Sequence, residues 1–295
     1  MRSPTPAAES GRRRRPADFL RLVRFQHTLF ALPFAFAGML LAADGLPGWG
    51  TLAWVTLAMV GARTFAMAVN RVLDARIDAA NPRTADREIP AGVLTAADGW
   101  WVAVAGLAAF VVAGVALNPL TAVLLPVAAV FMAVYPLVKR YSWWCHAWLG
   151  VTIGAAAAGG WIAVTGAFAA PAWWLWLAVA AWIGGFDVVY AMLDRDFDRA
   201  YGVQSVPARF GVRVAARVAA GAHVLAVAAL LALAPAAGLG PAYLVAVVAV
   251  AAVLSLQHAW VAGRGAAAAL RAFDANLVVG LIVLAGVALD LAFGA

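Results

Sequence analysis

Nine apolar runs of membrane-crossing length follow one another along this chain, at 27–43, 51–70, 100–117, 119–137, 144–166, 171–193, 214–236, 241–262 and 273–293. A helix that crosses a bilayer needs about 20 predominantly apolar residues. With 65% hydrophobic and 12% charged residues and a mean hydropathy of +0.90, the chain is far more apolar than an ordinary soluble domain. The fold class expected is therefore all-α, a polytopic membrane bundle of about nine transmembrane helices. Pro4, Pro6 and Pro16, together with Arg12 to Arg15, mark residues 1–16 as a disordered basic tail. No later linker or low-complexity segment is long enough to separate modules, so 17–295 is expected to be one transmembrane domain.

Charge placement sets the orientation, because basic residues in short loops stay on the cytoplasmic side. Arg2, Arg12 to Arg15, Arg21 and Arg24 precede the first run, and Arg71, Arg76, Arg83 and Arg87 follow the second. Lys139 and Arg140 follow the fourth; Arg195, Arg199, Arg209, Arg213 and Arg217 lie after the sixth; Arg264 and Arg271 lie between the last two. The alternate connections, 44–50, Asn118-Pro119, 167–170 and 237–240, contain no Lys or Arg. The net charge of +7 thus gathers on one membrane face, where it attracts anionic lipid and anionic substrates and gives no sign of a nucleic-acid partner. A bacterial-type inner membrane protein with its basic face in the cytoplasm is expected. The basic start resembles the first region of a signal peptide, but no convincing cleavage site follows and further spans do, so it reads as retained. Residues 17–26 suit an amphipathic segment on the same face. Tryptophans at 100–101, 143–144 and 173–174 fall near span ends, and the single cysteine, Cys145, excludes an internal disulfide and reads as packing.

Against this apolar background stand two aspartate ladders, Asn70-x-x-x-Asp74-x-x-x-Asp78 and Asp187-(x)6-Asp194-x-x-x-Asp198. A carboxylate costs roughly 2.5 to 3.5 kcal/mol at a bilayer centre, so clustering several near lipid demands cationic partners. Residues four apart share a helical face. Asn70, Asp74 and Asp78 are therefore expected along one side of an extended second helix, and Asp187, Asp194 and Asp198 along the sixth, with Asp196 pointing elsewhere. Facing rows of carboxylate oxygens suit Mg²⁺, which takes octahedral oxygen coordination and commonly combines one or two carboxylates with substrate phosphate oxygens. The combination predicts a diphosphate site, with Arg63, Arg71, Arg83, Arg87, Lys139 and Arg140 on the correct face to neutralise the remaining charge. Arg63 stands out, about two turns inside the membrane from Asn70, where it needs a carboxylate or the substrate as partner. The second and sixth spans each running into a ladder also hints at an internal repeat.

The segments Asn70-Arg-Val-Leu-Asp74-Ala-Arg-Ile-Asp78-Ala-Ala-Asn-Pro-Arg83-Thr-Ala-Asp-Arg87 and Asp187-Val-Val-Tyr190-Ala-Met-Leu-Asp194-Arg-Asp-Phe-Asp198 resemble the UbiA superfamily of intramembrane aromatic prenyltransferases. The resemblance extends to Tyr135-Pro-Leu-Val-Lys139-Arg140 and to Gly202-Val-Gln-Ser205-Val-Pro207-Ala-Arg-Phe-Gly211, and covers nearly the whole chain. It implies a cytoplasm-facing cavity, two Mg²⁺ ions and a polyprenyl diphosphate. On the matching positions, Asn70, Asp74, Asp78, Asp194 and Asp198 hold the metal-bound diphosphate, Arg63, Lys139 and Arg140, with Arg83 and Arg87, contact its oxygens, and Asp187 and Tyr190 lie nearer the reacting carbon or the aromatic acceptor. Catalytic roles accordingly fall to Asp74, Asp187, Tyr190 and Asp194. One departure is Arg71, which stands where many members carry a second metal-binding aspartate. The implied chemistry is electrophilic aromatic substitution on a phenol. The opening Arg24-Phe-Gln-His27-Thr-Leu-Phe30-Ala-Leu-Pro33-Phe34 is similar to a subgroup acting on 4-hydroxybenzoate in ubiquinone assembly and to relatives acting on a hydroxynaphthoate for menaquinone, with the first preferred.

Plainer readings stand beside these. A single ladder near arginines is also consistent with an interfacial salt-bridge network, and two ladders on one face argue against it. His27, His146, His223 and His258 show no ligand spacing and read as helix-contact or interfacial residues. Gly154, Gly159, Gly160, Gly184 and Gly185 read as sites of close helix packing. A secondary transporter would place its carboxylates near mid-membrane. A lipid-phosphate alcohol transferase would carry an Asp-Gly-x-x-Ala-Arg pattern that this chain lacks.

Overall fold

A computed structural model describes residues 15–23 and 31–293. Readings that fall on 1–14 and 24–30, including the arginine-rich tail, most of the amphipathic segment's end and the opening with Arg24, His27 and Phe30, lie outside the described residues. Within them the chain is helical: α1 Pro16–Leu22, α2 Leu32–Ala43, α3 Trp49–Leu73, α4 Ala75–Ala80, α5 Ala96–Leu117, α6 Pro119–Tyr141 and α7 Cys145–Thr165. There follow α8 Ala170–Ala191, α9 Arg195–Tyr201, α10 Val206–Ala237, α11 Pro241–Arg264, α12 Ala269–Ala275 and α13 Leu277–Phe293. Among the described residues eight helical stretches are long and apolar enough to cross a membrane, and α2 is a shorter apolar helix whose expected first turn lies outside them. The expected multi-pass bundle is thus present, with span limits within a few residues of those read from hydropathy.

Polar residues at the ends explain where the spans start. Thr95 and Asp98 form a reciprocal capping box at the head of α5, the Thr95 hydroxyl accepting from the Asp98 amide at 3.2 Å and the Asp98 carboxylate from the Thr95 amide at 2.9 Å. Asn118 does the same for α6, and its Nδ2 donates at 2.7 Å to the Ile162 carbonyl, tying the α5–α6 turn to α7. At that same end Asp290, on α13, accepts the Gly240 and Tyr243 amides at 2.7 and 3.2 Å, so its charge faces the positive end of α11.

Lipid tails give helices no hydrophobic reason to associate, so close approach through small residues carries the packing. The pairs α3 with α5, α8 with α10, α7 with α8 and α2 with α7 make the main contacts. A Cβ at Gly160 would lie 2.0 Å from the Ala35 carbonyl oxygen, and one at Gly38 2.2 Å from that of Ala157, so α2 and α7 touch backbone to backbone. Gly160→Leu is expected to destabilise the detergent-solubilised protein by about 1–3 kcal/mol or more, read as a lowered thermal midpoint; an unchanged midpoint would refute this seating of α2. Gly159 corrects the expectation for it: no atom stands within 4 Å of its missing Cβ, and it borders the central cavity.

The ladders do not run along unbroken helices. α3 stops at Leu73, Asp74 sits at φ −90°, ψ 1°, and α4 begins at Ala75. In the second half α8 passes through a short 3₁₀ turn, Met192–Asp194, to Asp194 at φ −102°, ψ 3°, and α9 begins at Arg195. Both central aspartates thus occupy the sparsely allowed bridge region. The hydrogen bonds Asp74 N to Asn70 O (2.9 Å) and Asp78 N to Asp74 O (2.8 Å) carry the chain across the first break. Each span ends and a short surface helix begins at an aspartate, in both halves, which sharpens the hint of a repeat. A second discontinuity, Gly211 at φ 81°, ψ 167°, divides α10 in a region open essentially to glycine alone.

Candidate active site

The two aspartate breaks lie at the same end of the bundle as the charged loops, and residues 81–83 join them. Asn81 Nδ2 donates to Asp194 Oδ1 at 2.9 Å, and Arg83 Nε reaches the same oxygen at 2.8 Å while its Nη2 contacts Oδ2. Arg83 Nη1 donates to the Tyr190 hydroxyl at 2.8 Å. A fork of this kind holds a carboxylate in plane and in register, and burial, which weakens the Arg83 cation, is outweighed by its bonds to Asp194 and Tyr190.

The first ladder is partnered as closely. Asp74 is fully buried, contacts Lys139 Nζ through Oδ2, accepts from Asn70 Nδ2 at 3.1 Å, and has Arg140 3.7 Å from Oδ1. Burial raises its carboxyl above the ordinary carboxylate range, against the lowering pull of Lys139. Asp78 pairs with Arg87 at 2.6 Å and Arg71 at 3.8 Å. Arg71, 2% exposed, also donates to the Leu22 carbonyl at 3.2 Å, so the residue that departs from the family pattern ties α1 to the first ladder. In the second ladder Asp198 accepts the Ser205 hydroxyl at 2.9 Å, and Ser205 in turn caps α10. Asp196 points away and is 82% exposed, paired with its neighbour Arg195.

These groups form the head of one cavity of about 620 Å³. It runs from Arg83, Lys139, Asp194 and Asp198 past Arg63, Tyr135 and Asp187 to Leu117, Thr121 and Phe168 at the far ends of the spans. Its long wall is apolar, with Phe110, Leu124, Phe131, Ile153 and Phe186 among its residues. Arg63 lies on this wall, as its place in the sequence predicts. All the candidate residues border the cavity except Asp74 and Arg140, which stand behind Lys139 and Asn70.

Asp74, Asp78 and Asp194 are each matched to a cation, and among the described residues no three acidic, His or Cys groups gather as metal ligands do. The donor set still fits a hard cation. It consists of carboxylate and amide oxygens, and Asp74 Oδ1 and Asp78 Oδ2 are buried with no hydrogen-bond donor, a costly state that an ion would relieve.

Three contributors carry no signal in the sequence. Asn81 and Ser205 lie beside the ladders in the chain, and only their contacts with Asp194 and Asp198 give them a part in the site. His146 was read as a packing or interfacial residue, yet it is 5% exposed and its Nδ1 lies 2.6 Å from Asp187 Oδ2. Its partner is 41 residues away on another helix, so no local spacing could reveal the pair.

Comparison with known proteins places this architecture. A protein of Vibrio campbellii named 4-hydroxybenzoate octaprenyltransferase is 31% identical over 175 residues, covering 59% of this chain and 61% of that protein's length. One of Chromohalobacter salexigens with the same name is 34% identical over 291 residues, covering 97% and 96%. The apo structure of a UbiA homolog from Aeropyrum pernix K1 superimposes with a TM-score of 0.83 at 33% identity, over 90% of this chain and 98% of that one. A UbiA homolog from Archaeoglobus fulgidus bound to GPP and Mg²⁺ shares the fold at 16% identity and a TM-score of 0.69, over 92% and 99%. Residues 31–284 match the UbiA prenyltransferase family, and with the bundle, the two aspartate breaks and the cavity between them, this chain belongs to that family.

Proposed function

We propose that the protein is a Mg²⁺-dependent prenyltransferase that moves a polyprenyl group from its diphosphate to an aromatic acid of the 4-hydroxybenzoate type in quinone assembly. Its charged end faces the cytoplasm across a bacterial inner membrane. The observation that carries this reading is the shape of the cavity: a carboxylate- and cation-lined head opening into an apolar body nearly as long as the spans. A molecule with a diphosphate at one end and an isoprenoid chain at the other matches both parts. The names of the aligned relatives support the same acceptor, and a neighbour of the same fold was solved with a prenyl diphosphate and Mg²⁺.

In this reading Asn70, Asp74, Asp78, Asp194 and Asp198 would hold Mg²⁺, which would supply positive charge opposite the diphosphate. Lys139, Arg83 and Arg87, now paired with those carboxylates, turn to the diphosphate oxygens, with Arg63 and Arg140 behind them. The allylic C–O bond breaks and the diphosphate keeps the electron pair. The ring carbon ortho to the phenolic oxygen bonds the allylic carbon and then loses its proton. Asp187 borders the cavity below the ladders, where a carboxylate steadies the allylic cation and takes that proton, and Tyr190 shapes the same region while holding Arg83. The apolar wall keeps out water that would capture the cation as an alcohol.

The test compares acceptors. Membranes containing the protein, given labelled prenyl diphosphate and Mg²⁺, are expected to prenylate 4-hydroxybenzoate with a higher kcat/KM than a hydroxynaphthoate. The reverse preference would move the protein to a menaquinone route, and transfer to neither would reject the proposal.

A further inference from the structure

His146 lies in the first turn of α7, buried between α8 and the head of α10, and borders the cavity without a role in the chemistry described above. Two contacts define its state. The Val206 backbone N–H, in the first turn of α10, approaches His146 Nε2 at 3.2 Å. An amide N–H can only donate, so Nε2 must present a lone pair and the ring proton must sit on Nδ1. Nδ1 faces Asp187 Oδ2 at 2.6 Å, so the imidazole N–H is directed at a carboxylate that borders the cavity. The helix start, whose first amides lack intrahelical partners, thereby fixes the tautomer, and the tautomer fixes the carboxylate.

We propose that His146 is the positioning residue of Asp187: locked in its Nδ1–H form by Val206, it holds Asp187 as a carboxylate in one rotamer, aimed into the cavity. The inference rests on the role given to Asp187 in the proposed function. Asp187 itself is on α8, whose cavity-lining neighbours include Ile183 and Phe186, and the hydrogen bond from His146 is the direct side-chain contact that fixes its carboxylate among the described residues. An oriented acceptor must stay within hydrogen-bond reach of the proton it takes, and a misplacement of about 1 Å can cost about 100-fold.

Three substitutions separate this role from simple capping. Asn at 146 places an amide N–H near the position of Nδ1 and keeps the link to Asp187; Gln places its oxygen near Nε2 and keeps the link to Val206; Ala removes both. With the full-length protein, geranyl diphosphate and 4-hydroxybenzoate, His146→Ala is expected to lower kcat by about 10- to 100-fold, the effect of losing one hydrogen bond to a charged group. KM for the diphosphate should change by less than about three-fold. His146→Asn should recover most of kcat. His146→Gln should recover the thermal midpoint but not kcat. Recovery of kcat by Gln rather than Asn, or Asn as slow as Ala, would overturn the inference. Asp187→Asn distinguishes the two levels. If it is slow while His146→Ala matches the wild type, only the positioning role falls. If Asp187→Asn also turns over normally, or the wild type transfers no prenyl group, the reading of Asp187 falls and takes this one with it.

Discussion

Asp194→Asn is expected to lower prenyl transfer by about 10²- to 10³-fold, the range seen when one preorganised electrostatic group is removed from a reacting centre. Asp194 is the point where the halves meet: Asn81 and Arg83 bind it from beyond the first ladder, and its own break starts α9. Asn keeps the shape and one acceptor oxygen but removes the charge that would face a cation. Asp74→Asn should be as inactive and less stable. Asp74 is fully buried against Lys139, and breaking a buried ion pair costs about 3–5 kcal/mol. Lys139 retains some exposure and can turn toward the cavity, so the lower end of that range is expected. Initial rates with labelled prenyl diphosphate, read beside detergent thermal midpoints, check both. Near wild-type rates in both variants would remove the ladders from the chemistry.

Removal of divalent metal is the second large effect. Excess chelator is expected to reduce transfer by at least about 10³-fold and added Mg²⁺ to restore it, because stabilising the charge of a departing diphosphate is worth several kcal/mol. The fold is expected to withstand the treatment. Asp74, Asp78 and Asp194 already have Lys139, Arg87 and Arg83 as counter-charges, so chelation should leave the thermal midpoint nearly unchanged. Added Mg²⁺ should raise it only modestly, since the ion must displace those cations. Full activity in chelator would exclude metal from the mechanism.

The membrane bundle and the gathering of its charges at one end were legible in the sequence because hydropathy and charge act through composition over whole segments. Each of α3, α5, α6, α7, α8, α10, α11 and α13 covers most of an apolar run that could be marked beforehand. That the acidic and basic residues of the two ladders cluster was legible too, since charge beside lipid is costly enough that few positions carry it without a partner. What spacing missed is local geometry. An i, i+4 rule assumes continuous helix, and both ladders turn at their central aspartate. The rule also describes only neighbours in sequence, while Asp194 meets Asn81 and Arg83 more than a hundred residues away.

His146 shows the limit most plainly. Nothing in its neighbourhood marks it, and its meaning comes from Asp187 on α8 and Val206 on α10. By itself the sequence determined how many times the chain crosses the membrane, which face is basic and which acids demand partners, because each follows from the cost of moving a residue between water and lipid. Only the tertiary structure decided which cation answers which carboxylate, where Asp187 is held and how the cavity runs. Those depend on helices brought together by backbone contact at Gly38 and Gly160 and on pairings between distant residues, for which single-chain periodicity carries no signal.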